Sequence, residues 1–311
     1  MDRRRFLDTT IKSVVGGTLL STPVFGKELK LPGMHLFSKV LQFLDYSQMA
    51  EAAAAAGLAG VDLTVRSGGH VDPDNFERDL PLAISAIKAA GLRCAMITTG
   101  ITSTENRRNF ALLSLARSLG VETYRTGSLR YDKETHPMEA IDQYRRQLTD
   151  LAAWNREIGI TGIYQNHSGE RRLGAAIWDL YLVLRDLDPD YLGCQFDIRH
   201  AVVEGGLEWP DSYQLMKPFI RSICLKDFRW GEVDGRWRVV NTPVGQGMVD
   251  FRRYLGMLQN DKIDVPVSLH LEYDLGGAEK GRREPTMPES EILAAIRKDI
   301  VAVNKIWKET S

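Results

Sequence analysis

Asp197 and His200 stand three residues apart at the exit of Gly193-Cys194-Gln195-Phe196, a short run of small and apolar residues. Such a run reads as a strand covered on both faces. A carboxylate followed by a histidine at its end can hold a divalent metal or a sugar hydroxyl. The same spacing also suits a plainer duty, with Asp197 capping the next helix and His200 bonded to backbone. Three further segments end in the same way, which shifts the balance toward chemistry. Gln165 and His167, Cys224 and Lys226, and His270 and Glu272 each alternate at the end of a strand-like run, so each pair shares one face of its strand.

Gln165, Asp197 and Glu272 are oxygen donors suited to Mg2+ or Mn2+. Such an ion polarises a carbonyl and a neighbouring hydroxyl, which acidifies the C–H between them. A carboxylate, a histidine or a lysine of lowered pKa then moves the proton. Glu272, His200, Lys226 and His167 are therefore the catalytic candidates, and the chemistry is that of aldose–ketose isomerisation or of epimerisation beside a ketone. Asp62, Thr64 and Arg66 alternate at another strand end, and Arg125 closes a further one. Asp62 and Arg125 are expected to support structure or touch substrate. An internal ion pair, such as Lys226 with Asp197, is the structural alternative for the set.

These pairs need a scaffold that gathers strand ends. Strands are expected over 34–38, 60–65, 93–98, 121–126, 162–166, 192–197, 221–226 and 265–272, with helices over 45–56, 74–91, 103–119, 137–158, 174–187, 212–217, 250–258 and 289–307. Eight strand–helix units predict a single-domain α/β protein, a (β/α)8 TIM barrel over 29–311, whose chemistry collects at the carboxyl ends of the strands. A doubly wound open sheet would want a glycine-rich phosphate loop after the first strand, and His35-Leu36-Phe37-Ser38-Lys39 offers none. An insertion at 230–240 turns at Asp234-Gly235, a hairpin signal. Its Trp230 and Trp237 are expected over the active site, a partner's surface or the barrel rim. His35 is expected at the barrel bottom; His70 and His136 fall in loops and receive no role.

The strand ends resemble the sugar phosphate isomerase/epimerase superfamily with the xylose-isomerase-like barrel. The markers are Ile163-Tyr164-Gln165-Asn166-His167, Phe196-Asp197-Ile198-Arg199-His200-Ala201, Cys224-Leu225-Lys226-Asp227 and Leu271-Glu272-Tyr273. Val244-Gly245-Gln246-Gly247 is similar to the family's P-x-G-x-G turn. The resemblance implies a metal quartet of Glu, Asp, His and Glu, matched here by Asp197 and Glu272. Gln165 stands where a glutamate is usual and Cys224 where a histidine is usual. Gln165 is no base, so exchange of the proton between two glutamates is in doubt. Cys224 could hold Zn2+ as thiolate or be buried filler. A small-molecule carbohydrate is the expected substrate, acted on by isomerisation, epimerisation or β-elimination. A sugar-binding barrel that has lost its metal is the non-catalytic alternative.

Composition narrows the classes. At 43% hydrophobic and 26% charged residues the chain can bury a core, and a net charge of −1 gives no electrostatic case for nucleic acid. That, with the missing metal histidines, argues against a DNA-repair endonuclease on the same scaffold. Cys94, Cys194 and Cys224 are an odd number in apolar runs, which predicts buried thiols. At the N-terminus, Arg3-Arg4-Arg5-Phe6-Leu7 precedes a mildly apolar stretch, 11–25, shorter than the about 20 residues of a membrane span. It resembles a twin-arginine signal, which predicts a segment of about residues 1–28 removed on export, a periplasmic protein and no stable membrane anchor. A free sugar, glycoside or oxidised keto-sugar then suits the site better than a cytosolic sugar phosphate. A homo-oligomer is compatible with the chain.

Overall fold

Burial on both faces, which the sequence runs demand, is met by closing the sheet on itself. The computed structural model describes residues 31 and 33–310, and the expected signal segment lies outside them. Eight parallel strands are β1 (Met34–Phe37), β2 (Gly60–Thr64), β3 (Arg93–Thr98), β4 (Thr123–Arg125), β5 (Thr161–Gln165), β6 (Leu192–Asp197), β7 (Ile220–Leu225) and β10 (Val267–Leu269). They close in the order β1-β10-β7-β6-β5-β4-β3-β2. β10 seals the ring: Val267 pairs with Met34 on one side and Ile223 on the other. This is the expected TIM barrel, and the open-sheet alternative falls.

Register then decides which side chains meet. Gln165 lies opposite Gln195, and Asp197 opposite Cys224. Partners in register point to the same side, and residues two apart along a strand share a face. Gln165, Asp197 and Cys224 therefore face one way, and Lys226, just past β7, follows them. Two boundaries differ from the sequence reading for a reason that concerns this cluster. β10 ends at Leu269 rather than at 272, so His270 and Glu272 ride on chain that has left the sheet, although the His270 N–H still donates to Leu225 O at 3.0 Å. A helix that periodicity did not predict, α6 (Ile198–Gly205), starts directly at Asp197 with no intervening loop.

The outer helices follow their caps. α1 (Tyr46–Ala55) opens on Asp45 and Gln48 in a reciprocal capping box. α3 (Arg107–Ser118) starts four residues later than its apolar pattern because Asn106 caps it. α4 (Pro137–Ile158) stops at Gly159, whose φ of 75° suits glycine. The insertion is a two-stranded ribbon, β8 (Asp227–Val233) with β9 (Arg236–Thr242), and its turn residues Asp234 and Gly235 have φ of 52° and 69°, as a two-residue hairpin turn requires. Trp230 and Trp237 are exposed, at 43% and 71%, so neither is buried on the barrel rim. All three cysteines are free and buried. No helix among the described residues is long and apolar enough to cross a membrane.

The closing helix α9 (Glu289–Thr310) carries a buried carboxyl, Asp299, that accepts from Tyr273 and from the Val244 backbone while its Oδ2 has no partner. Burial pushes this carboxyl up to about 7. A group whose folded pKa is raised favours the fold below its unfolded pKa and loses that contribution as pH rises through the folded value. The protein is therefore expected to lose about 2–4 kcal/mol between pH 4 and pH 8 through this group. Asp299→Asn should flatten that slope in urea unfolding; an unchanged slope would exclude Asp299 as its source.

Candidate active site

The polar strand ends converge on one ammonium. Lys226 Nζ lies 3.0 Å from Asp197 Oδ2, 3.3 Å from Glu272 Oε1 and 2.9 Å from His200 Nε2. Lys226 and Asp197 are buried, whereas the Glu272 side chain remains 22% exposed and so faces the mouth of the barrel. Asp197 caps the next helix, as the plainer reading of its spacing expects, and at the same time pairs with a cation. Its Oδ1 accepts the His200 N–H at 3.2 Å and caps α6, while Oδ2 takes Lys226 and, at 2.7 Å, Gln165 Nε2. Asn166 grips the Asp197 backbone at both ends, accepting its N–H at 2.7 Å and donating to its carbonyl at 3.0 Å. The carboxylate thus has little freedom to move.

A second layer orients the first. His200 Nδ1 lies 2.7 Å from both Ser168 Oγ and Arg199 Nη1, and its ring stacks on His167 at 4.0 Å. Arg199 donates to Asn241 Oδ1 at 2.6 Å, and Asn241 donates to the Glu272 carbonyl at 3.0 Å. The β8–β9 ribbon, which supplies Asn241, thereby fixes the segment carrying Glu272. Asp227, beside Lys226, does not touch the cluster. Its carboxylate accepts N–H groups from Phe228, Gly245, Gly247 and Val249. A Cβ on Gly247 would lie 2.3 Å from the Asp227 carboxylate, which explains the glycine in that turn.

The electrostatics follow from burial set against charge. Burial alone would push the Lys226 ammonium down; Asp197 and then Glu272 outweigh it and raise it, so Lys226 stays charged. Burial would raise the Glu272 carboxyl, but Lys226 and Lys39 hold it well below the usual range. Burial, Lys226 and the neighbouring His167 and Arg199 keep His200 neutral, and burial with Lys226 lowers His167 to about 4. The four expected catalytic residues thus meet in one place: a fixed cation, an ionised carboxylate at the mouth, and two stacked neutral imidazoles. His35 is hydrogen-bonded to Gly33 O at 2.9 Å, and His70 is bound by Ser38 and Leu41.

The sequence matches the family described as xylose isomerase-like TIM barrel over residues 50–295. The chain belongs to that family. No match is found among curated protein sequences. Solved structures resemble it in fold at low identity. One is the probable 3-DHS dehydratase from Bacillus anthracis, at 15% identity and a TM-score of 0.65, covering 87% of this chain and 99% of that one. Another is a 3-keto-D-glucoside 4-epimerase from E. coli, at 11% identity and 0.61, covering 84% and 94%. A third is a barrel from Mycobacterium smegmatis in complex with magnesium, at 14% identity and 0.60, covering 86% and 98%.

Magnesium in a relative raises the question of whether the present residues fit a divalent ion, and they do not. The Lys226 ammonium already stands between Asp197 and Glu272, where an ion shared by the two carboxylates would lie. Gln165 donates through Nε2 to Asp197 and turns its amide oxygen to Arg125 at 2.5 Å. The guanidinium can only donate and the carboxylate only accept, so this orientation of the amide is forced. Burial, aided by Asp197, keeps Cys224 a thiol. Among the described residues no group of three or more His, Cys, Asp or Glu side chains is placed to hold a metal. In the structure the expected ligands Gln165, Asp197 and Glu272 gather round a lysine cation, which stands where the expected Mn2+, Mg2+ or Zn2+ would lie. Protein dialysed after exposure to Mn2+, Mg2+ or Zn2+ should retain only substoichiometric metal by plasma mass spectrometry; a full equivalent, lost in Asp197→Asn, would overturn this assignment.

Periodicity alone missed Asn166, Ser168, Arg199 and Asn241. Asn166 and Arg199 stand inside the family-like motifs without a role assigned to them, and Ser168 adjoins His167, its only signal. Asn241 had none, because it arrives from the far strand of the ribbon.

Proposed function

We propose that this chain is a sugar isomerase or epimerase that works without a resident metal, transferring a proton at the carbon beside the carbonyl of a keto-sugar or keto-glycoside. The observation that carries the reading is the Lys226 ammonium held between Asp197, Glu272 and His200 at the carboxyl end of the barrel. Membership of the xylose isomerase-like family and the fold shared with a 3-keto-D-glucoside 4-epimerase support it. Glu272 takes the C–H proton, and the bonding pair moves to the carbonyl oxygen, where the Lys226 charge stabilises the enolate. A proton delivered to the opposite face of that carbon gives the epimer; delivery to the former carbonyl carbon, with the neighbouring hydroxyl's proton passing to the enolate oxygen, gives the isomer; and departure of a β-hydroxyl as water, taking up the abstracted proton, gives elimination. Glu272 is a weak base in the empty site, and the same cation that weakens it also lowers the barrier by meeting the charge that forms. The twin-arginine-like Arg3-Arg4-Arg5-Phe6-Leu7 supports action outside the cytoplasm; a protein recovered only from the cytoplasmic fraction would remove that part.

One observation favours a second reading, a sugar-binding barrel without turnover: Lys226 and Lys39 neutralise the accessible carboxylate. Deuterium exchange separates the two. Ketoses and 3-keto-glucosides incubated with the protein in D2O should acquire deuterium beside the carbonyl by NMR. Ligand-induced thermal stabilisation without any exchange would establish the binding barrel instead.

A further inference from the structure

Phe37, the last residue of β1, is ringed by cations. Its ring centroid lies 5.1 Å from the Arg125 guanidinium carbon, 5.5 Å from that of Arg66 and 5.6 Å from Lys39 Nζ. One face of the ring is taken by His270, stacked at 4.1 Å. The cations are therefore crowded onto what remains of the ring, and each lowers the charge stability of His270 behind it. Their counter-charges are weak or committed elsewhere. Lys39 reaches Glu272 Oε1 only at 3.7 Å, and that oxygen already faces Lys226. Arg125 spends Nη1 on the neutral amide of Gln165. Asp62, the nearest further carboxyl, is fully buried and held by Thr98 and Ser268 at 2.9 and 2.6 Å. The Arg66 side chain makes no hydrogen bond or ion pair among the described residues and is only half-buried.

Cations held together in a low-dielectric mouth repel one another unless something anionic joins them. Lys39, Arg66, Arg125, Arg199 and Lys226 oppose the carboxylates Asp62, Asp197 and Glu272, a local positive excess in a chain whose net charge is −1. We infer that the mouth of the barrel binds an anionic sugar, with Arg66 and Arg125 gripping its oxyanion group, a carboxylate or a phosphate, beside Phe37. Two guanidinium forks suit the planar geometry of a carboxylate and the oxygens of a phosphate alike. The inference rests on the proposed sugar-directed function and sharpens its substrate to a sugar acid or sugar phosphate. The neutral keto-glycosides named above are then the weaker ligands.

Matched ligands test it by calorimetry at low salt. D-glucuronate and 2-keto-D-gluconate are the carboxylate arm, glucose 6-phosphate and inorganic phosphate the phosphate arm, and D-glucose and methyl glucoside the neutral arm. At least one charged arm should bind about tenfold or more tighter than the neutral arm, the factor that about 1.4 kcal/mol supplies, and its affinity should fall with added salt. Arg66→Gln should remove most of that preference, Arg66→Glu should invert it, and Arg66→Lys should restore part. The Arg66 side chain gives up no hydrogen bond or ion pair, only its half-buried place over Phe37, so these variants should melt close to the wild-type temperature. Inorganic phosphate matching the sugar phosphate would mean that the phosphate group alone is recognised, and overturns an anionic-sugar site. Equal binding of charged and neutral arms, no binding of any, or indifference to Arg66→Gln also overturns it. A charged sugar that binds through Arg66 but exchanges no deuterium leaves the anion site standing and removes the catalytic reading, so the two fail separately.

Discussion

Lys226→Met is expected to destabilise the protein by about 3–5 kcal/mol, the usual cost of leaving a buried charge without its partner, and to abolish turnover. Methionine keeps the length and the packing of the stem, so what is lost is charge. Asp197 is left buried with Gln165, the backbone N–H of His200, Cys224 and the neutral His200 ring, whose Nε2 lies 3.6 Å from Oδ2, and none of these is a cation. In a domain of this size the melting temperature should fall by roughly 10 °C. Asp197→Asn on top of Lys226→Met should return a large part of that loss, because the orphaned charge is then gone. The pair of measurements separates structure from chemistry: stability should recover in the double variant, and turnover should not. A Lys226→Met protein that melts like the wild type would mean that Lys226 is not the counter-charge of Asp197.

Glu272→Gln should do the reverse, with a loss of activity of about 10²–10⁴-fold and little change in the fold. The side chain is partly exposed and its pairing with Lys226 and Lys39 is at 3.3 and 3.7 Å. Glutamine keeps the size of the side chain and an amide oxygen for both ammonium groups, and Lys226 keeps Asp197. The variant should still be stabilised thermally by the ligand, yet no longer exchange deuterium into it. Full exchange by Glu272→Gln would move the base to another residue, with the neutral His167 and His200 next in reach. Loss of ligand binding together with exchange would make Glu272 a binding group. Lys226 and Glu272 thus have distinct signatures: one carries the fold and the chemistry, the other the chemistry alone.

Much of this site was legible before any coordinates. Alternation at the end of an apolar run gave Gln165, Lys226 and Glu272, and the D-x-x-H step gave Asp197 and His200, because a closed parallel barrel leaves few places for charge. The expected cap by Asp197 leaves its second oxygen free for Lys226 and Gln165, since a carboxylate has two oxygens. What periodicity could not show was α6, a helix that begins on the last strand residue and so offers no loop to read. The premature end of β10 was equally hidden, because His270 and Leu271 stay buried after the ladder has stopped at Leu269.

The order of apolar runs, their lengths and their polar exits settled the barrel and nominated the residues at its mouth, because burial on both faces of a parallel sheet leaves only the strand ends for ionisable groups. Which of those groups pair was decided only by the closed sheet. Gln165, Asp197 and Lys226 are far apart along the chain and are brought onto one face by register between β5, β6 and β7. A donor list from the sequence treats Gln165 and Asp197 as ligands waiting for an ion. The folded molecule places a lysine ammonium between the carboxylates and turns the glutamine oxygen to Arg125. Charge compensation inside a protein is a matter of distances of a few ångströms, and distances between segments exist only once the barrel has closed.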